Sequence, residues 1–371
     1  MKYAEIESRT ELKSLFRKHG GIIDKVAFQD VDLTEFEEEI SRFYFSNCLF
    51  LGCKMTEKIK QHTEKENYIF PKLDVPYNIY MNRLYDKDDL YGKYELGKPE
   101  TYEKTFDKIV YNHFIQTGKE ADSIKETLAR RLHDHSITDA LYDFLSNYDE
   151  KKVVAIMGGH SLARNTDDYK QVAKLSKELT EDGYLMVSGG GPGAMEATHL
   201  GAWFAGRANK ELESAFGILD KAPVYKDILW LDTAMKVIDI YPNTGEYESL
   251  GVPTWLYGHE PPTPFATKIA KYFANSVRED GLLTIAKGGI IYSPGSAGTI
   301  QEIFQEITQN HYLSFGYASP MIFMNKKFWT QETPVYNYIT DLIERGKLKN
   351  LILSICDKTD EIKAELKKFY S

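Results

Sequence analysis

The sequence predicts an α/β protein, a Rossmann-like doubly wound parallel sheet preceded by a mostly helical N-terminal domain. Three observations lead there. From about residue 152 onward, short β-rich runs alternate with helical stretches, the order of a parallel sheet covered on both faces by helices. Glycine-rich turns follow several of those runs, at 158–159, 189–193 and 295–298, where such sheets bind ligands beyond the C-terminal strand ends. The first part of the chain has few sheet-type runs and shows helical periodicity in 102–117 and 121–147.

With 371 residues and roughly 150 residues per domain as a guide, two domains are expected, an accessory domain at 1–148 and the sheet domain at 149–371. The expected sheet runs are KKVVAIMGG, GYLMVSGGG, ESAFGILD, MKVIDIY, GGIIYSPG, SPMIFMN and LILSI. The helical stretches are 167–181, 193–206, 264–280, 298–312, 334–345 and 359–370. In the accessory domain, Phe45 and Phe50 head two five-residue units, FSNCL and FLGCK, and Phe28 and Leu33 are similarly spaced. That spacing hints at a pentapeptide-type coil, but two or three such units do not stack into a stable solenoid alone. A strand pair or chance spacing is the expected reading.

Composition narrows the function classes. A hydrophobic content of 42% and a charged content of 27% are those of a globular protein. No stretch approaches the roughly 20 apolar residues that span a bilayer, and the polar start MKYAEIESRTELKSLF lacks a signal-like apolar core. The cysteines Cys48, Cys53 and Cys356 show no metal-ligand spacing and suit a reducing compartment. A cytoplasmic protein with no metal and no cofactor is therefore expected. The net charge of −9 argues against a nucleic-acid partner, whose binding comes from clustered Lys and Arg. A small anion is still open to it, because aimed backbone N–H groups hold phosphate without net charge.

Two loops carry the chemistry. The run Val187 to Ala197 places Gly189, Gly190, Gly191 and Gly193 between a strand and a helix. Glycines there let N–H groups approach an anion while the helix points its positive end at it. The run Ser293 to Glu302 repeats the pattern, with Gly295, Ser296, Ala297, Gly298 and Thr299 in the turn. Ser296 and Thr299 add hydroxyl donors, and Glu302, three residues after Thr299, faces the same cleft. A third turn, Gly158-Gly159-His160-Ser161, completes the rim through Gly158, Gly159 and Ser161.

These residues resemble the LOG family of nucleoside 5′-monophosphate phosphoribohydrolases over roughly 150–325. Gly189-Gly190-Gly191-Pro192-Gly193-Ala194-Met195 is similar to its GGG-x-x-G-x-M loop, with the last glycine one place early, and Pro294 to Glu302 is similar to its P-G-G-x-G-T-x-x-E motif. The GGGPGAMEA form is most similar to the longer bacterial pyrimidine/purine nucleotide nucleosidases, which also carry an extra N-terminal domain. The resemblance implies a Rossmann-like nucleotide-binding catalytic domain, hydrolysis of a nucleoside monophosphate to free base and ribose 5-phosphate, and a homodimer or higher homo-oligomer. It implies a catalytic pair of Arg278, sixteen residues before Pro294, and Glu302. Ser296 stands where the motif has its second glycine, and the Met-His-x-Arg-Lys pattern around the arginine is missing.

On chemical grounds Glu302 would face positive charge building on the sugar, and Arg278 would clamp phosphate or ribose oxygens. His160 and Glu196 are candidate donors to the leaving base. The alternative is a nucleotide-binding sensor without turnover. A nicotinamide oxidoreductase fits less well, since no G-x-G-x-x-G follows a first strand, and no lysine is singled out for the Schiff base of a decarboxylase.

Overall fold

The computed structural model describes residues 3–370, which form two compact units. One holds the chain up to Leu84 with Ile115–Tyr142, and the other holds Tyr85–Phe114 with the chain from Asp143 onward. Residues 85–114 thus fold with the sheet unit, where the sequence expectation of a single cut at 148 put them in the accessory domain.

Their polar contacts explain why. Lys271 and Asp107, both with fully buried side chains, pair with each other, and the Tyr102 hydroxyl donates to Asp107 Oδ2 at 3.0 Å. Tyr91 donates to the Pro262 carbonyl at 2.6 Å, and Tyr85 bridges Ile269 antiparallel. A buried lysine and aspartate each need the other, so the segment follows its partners.

The first unit contains six short strands, β1 (Ala4–Ile6), β2 (Ile22–Asp24), β3 (Val26–Gln29), β4 (Tyr44–Ser46), β5 (Leu49–Leu51) and β6 (Tyr68–Phe70). They pair in parallel in the orders β1-β3-β5-β6 and β2-β4. Ala4 faces Val26, Ile22 faces Tyr44 and Ala27 faces Leu49, an advance of 22 residues per coil, and the last step, Leu49 to Tyr68, takes 19. Helices at Arg9–Lys18, Glu37–Ile40 and Glu57–Thr63 fill the coils.

A coil is therefore present where a strand pair or chance spacing was expected, and Phe28, Leu33, Phe45 and Phe50 are all buried in its core. Phe28 stacks on Phe50 with ring centroids 4.8 Å apart, one full coil along the chain, while the Phe45 to Phe50 spacing is the step from β4 to β5. Helix still accounts for more residues than strand in this unit.

The second unit is built on a seven-stranded parallel sheet, β7 (Val153–Met157), β8 (Leu185–Ser188), β9 (Ser249–Gly251), β10 (Lys268–Ile269), β11 (Gly289–Tyr292), β12 (Pro320–Met324) and β13 (Ile352–Cys356). Its order is β10-β9-β8-β7-β11-β12-β13. The chain winds outward from β7 through β10, then returns to place β11 on the other side of β7. The switch point lies between β7 and β11, where open α/β sheets bind ligands. β7, β8, β11 and β12 are buried throughout, as strands covered on both faces must be.

Two expected strands are helices. ESAFGILD lies in Asn209–Leu219, which buries Leu212, Ala215, Phe216 and Leu219. MKVIDIY lies in Trp230–Ile240, which buries Trp230, Leu231, Ala234 and Val237. Spacings of three and four override the β-branched look of both runs. The expected helix 264–280 contains β10 and becomes helical only at Asn275. There the Thr267 hydroxyl takes the Ser249 N–H at 2.8 Å, tying an edge of two to three residues whose shortness hides it from pattern reading. No described helix is long and apolar enough to cross a membrane.

Candidate functional site

A cavity of about 410 Å³ opens at the switch point. The turn after β7 contributes Gly158, Gly159 and His160, the turn after β11 contributes Ser296, Ala297, Gly298 and Thr299, and the next helical turn contributes Glu302. Arg278 and Glu279 enter from the helix Asn275–Ile285.

The helix Ala297–Tyr312 starts bare. Its N-cap Ser296 makes no side-chain capping bond, so the opening N–H groups, the positive end of the helix dipole, face the cavity. Ser296 is exposed and has φ −119°, a conformation open to any L-residue. Serine in place of the motif glycine therefore costs the backbone nothing and adds a hydroxyl at the anion end.

Glu302 sits less than two turns further along. Among the described residues its carboxylate takes no hydrogen bond, and burial raises its pKa to about 7, with Arg278 opposing that shift and Glu279 adding to it. A carboxylate without donors in a cleft pays for its charge and holds its proton into the neutral range. Glu306, four residues on along the same helix face, is likewise raised to about 7 by burial, against hydrogen bonds from Ser319 and Asn310. Glu279 is braced by Asn275 Nδ2 at 2.6 Å and Gln301 Nε2 at 3.0 Å.

Arg278 is fixed by one bond and one absence. Its Nε donates to the Val252 carbonyl at 2.9 Å, and its Nη2 lies where a Cβ on Gly189 would stand, 2.3 Å away. The guanidinium keeps its terminal N–H groups for a ligand.

The first glycine loop therefore works beneath the site. Gly189, Gly190 and Gly191 are buried and do not line the cavity. The Gly190 N–H donates to Ser188 Oγ at 3.1 Å. The first N–H of the helix Ala194–Trp203, that of Ala194, is taken up by the Gly159 carbonyl at 3.2 Å. Gly193, at φ +72°, lets the two turns touch, since a Cβ there would stand 2.3 Å from the Gly159 oxygen. Gly295 also stays out of the lining and leaves room for the Thr299 hydroxyl. Ser161 and Gly193 line a neighbouring cavity of about 250 Å³ instead.

Glu196 is no proton donor, contrary to its candidacy above. Arg164 grips it with Nε to Oε2 at 2.8 Å and Nη2 to Oε1 at 2.5 Å, and Tyr169 adds a bond at 2.9 Å. All of its acceptor capacity toward a ligand is taken up in a buried fork. His160, by contrast, is half exposed, lies 3.8 Å from Glu260 Oε1, and lines both cavities.

Glu260, Tyr257 and Glu279 also line the larger cavity and were missed, because none lies in a glycine loop; Glu279 was legible only as the neighbour of Arg278. His199 was passed over as an ordinary helix residue. It bridges Ser188 Oγ at 2.8 Å and Ser249 Oγ at 2.9 Å, and burial lowers its pKa to about 3, so it is a neutral tie between β8 and β9.

No family model matches the chain, and no curated sequence relative does. Among solved structures it is similar to the molybdenum cofactor binding protein of the phototrophic bacterium Rippkaea orientalis, at 13% identity and a TM-score of 0.37 over 59% of this chain and 97% of that one. It is similar to TM1055 at 17% identity and a TM-score of 0.38, over 58% of this chain and 98% of that one. The Moco carrier protein of Chlamydomonas reinhardtii gives 13% identity and a TM-score of 0.36, over 59% and 96%.

Proposed function

We propose that this chain hydrolyses the N-glycosidic bond of nucleoside 5′-monophosphates to free base and ribose 5-phosphate. The observation that carries this reading is Glu302, a carboxylate without a hydrogen-bond partner among the described residues and with its pKa raised to about 7 by burial, in one cavity with Arg278 and the bare helix start at Ser296–Thr299. A phosphate has donors at one end of that cavity, and a carboxylate waits further in.

Seated with its phosphate on the 297–299 N–H groups, the substrate brings C1′ toward Glu302. As the C1′–N bond breaks, its electron pair leaves with the base and positive charge builds on the ribose. The Glu302 carboxylate stabilises that charge and takes a proton from the attacking water. The water oxygen bonds C1′, and Glu302 returns its proton to solvent. Arg278 holds phosphate or ribose oxygens by its free fork. His160, as imidazolium beside Glu260, gives the base its proton and is recharged from solvent. The described groups thus divide acid from base work across one cavity.

Incubation with a panel of nucleoside monophosphates and the matching nucleosides, read by chromatography of free base and by assay of ribose 5-phosphate, tests this. Cleavage of AMP far ahead of adenosine is expected, because losing the phosphate contacts removes orienting binding energy. Equal rates on the two would overturn the phosphate assignment, and binding of monophosphates without any release of base would leave the nucleotide sensor as the function.

A further inference from the structure

The reaction above leaves the base without an assigned seat. Next to the catalytic cavity lies the second one, of about 250 Å³, lined by Ser161, Gly193, Val224, Tyr225, Lys226 and Trp230 among others. His160 belongs to the walls of both, so a ligand whose glycosidic bond passes His160 has its sugar on one side and its base on the other.

We propose that this second cavity is the nucleobase subsite, and that Lys226 makes it select bases bearing an exocyclic carbonyl, the 6-oxopurines and 4-oxopyrimidines, over their amino counterparts. The proposal rests on the monophosphate reading and deepens it.

The polar groups of the subsite decide the preference. Arg164 and Glu196 face it but are spent on each other, and Arg164 also donates to the carbonyls of Ala222 and Trp230. Trp230 is committed as the platform under the Arg164 guanidinium, 4.6 Å from its ring. That leaves Lys226, exposed and in no ion pair among the described residues, its Nζ 5.8 Å from the Tyr225 ring centroid, with Ser161 lining the same cavity. An ammonium only donates, so it donates a hydrogen bond to a carbonyl oxygen and meets repulsion from an amino group.

Tyr225 supplies the ring. It is half-buried, stands edge-on to His160 at 5.9 Å, and has Val224 next to it as an apolar neighbour. A base stacked on the Tyr225 ring lies next to His160. Stacking on an aromatic side chain tolerates any base, so affinity comes from Tyr225 and choice from Lys226.

IMP and AMP differ only at the purine C6 group and the proton at N1, and ribose 5-phosphate lacks the base. Calorimetry with these three on the full-length Glu302→Gln protein, in which cleavage is slowed by about two to three orders of magnitude, separates the contributions. IMP is expected to bind about tenfold tighter than AMP, a difference of ~1.4 kcal/mol, and ribose 5-phosphate at least about tenfold weaker than either. Lys226→Met should bring IMP and AMP within about twofold of each other, and Tyr225→Ala should weaken both nucleotides while leaving ribose 5-phosphate unchanged. Equal binding of ribose 5-phosphate and the nucleotides would overturn the subsite, and an unchanged IMP to AMP ratio in Lys226→Met would overturn the selection. Such binding in a wild-type protein that releases no base would instead overturn the hydrolase reading and leave the subsite standing.

Discussion

Arg278 can lie where it does because residue 189 has no side chain: a Cβ on Gly189 would stand 2.3 Å from Arg278 Nη2 and 2.7 Å from Met195 Sδ. Both neighbours are ends of flexible side chains, and the Gly189 backbone needs no positive φ. Gly189→Ala should therefore fold and melt close to wild type while pushing the guanidinium off its Val252 anchor. The expected loss in kcat/KM is at least about tenfold, carried largely by KM because a ground-state clamp is displaced. Wild-type kinetics in this variant would show that Arg278 does not hold substrate.

Gly190, one residue on, behaves oppositely. It has φ +70°, and a Cβ there would meet Pro253 Cδ at 2.8 Å, the Val252 nitrogen at 3.0 Å and the Gly251 Cα at 3.1 Å. Backbone cannot step aside as a side-chain tip does, so Gly190→Ala costs strain of ~1–3 kcal/mol plus overpacking. Thermal melting checks the contrast, with Gly190→Ala well below Gly189→Ala.

That contrast marks what the sequence made legible. Strand, glycine turn and helix in succession located both loops, and Glu302 and Arg278 line one cavity. The roles of the glycines were less legible: GGGPG reads as a phosphate cradle, whereas Gly189 and Gly190 make room for Arg278 and for the Gly251–Pro253 backbone, which only packing reveals. Glu260 lies in an extended loop with no periodicity to mark it. Residues 85–114 left the N-terminal domain because of a Lys271–Asp107 pair 164 residues apart, a distance at which local pattern carries no information. The 22-residue coil was obscured because its Phe28–Phe50 repeat is interrupted by helices and crossed by the nearer Phe45–Phe50 step.

Replacing Glu302 by Gln preserves size and most packing but removes the charge facing the ribosyl cation. If that charge supplies ~3–4 kcal/mol at the transition state, single-turnover cleavage falls by about two to three orders of magnitude. Monophosphate binding, which depends on the helix N-terminus and Arg278, should stay within a few fold. Turnover within a few fold of wild type would reduce Glu302 to a helix-end dipole partner.

Stability should fall as pH rises from about 4.5 to 7. Burial raises Glu302 and Glu306 to about 7 in the folded protein, so in that window the folded state keeps protons that the unfolded chain, with carboxyls near 4.3, has released. The sign follows directly, because more protons bound in the native state means stability is lost as they are removed. Glu306→Gln, outside the cavity lining, should flatten the melting temperature between pH 5 and 8 and raise it at the alkaline end. A melting temperature that climbs across this range in the wild type would contradict the assignment.

His160 is tested by changing the leaving group rather than the enzyme alone. A purine or uracil expelled from a monophosphate departs as an anion unless it is protonated, whereas nicotinamide leaves nicotinamide mononucleotide as a neutral molecule that needs no proton. If His160 supplies the proton, His160→Gln should slow AMP or IMP cleavage by roughly two to four orders of magnitude, the usual worth of general acid catalysis, and slow nicotinamide mononucleotide far less. Glu260→Gln removes the carboxylate 3.8 Å from the imidazole, so its effect should follow the same split at smaller size. A positioning role alone would slow both leaving groups equally, as would misplacement of the 158–161 turn. The ratio of the two rates, measured in wild type and both variants across pH 5 to 9, therefore isolates the proton transfer from everything else that holds the substrate in place.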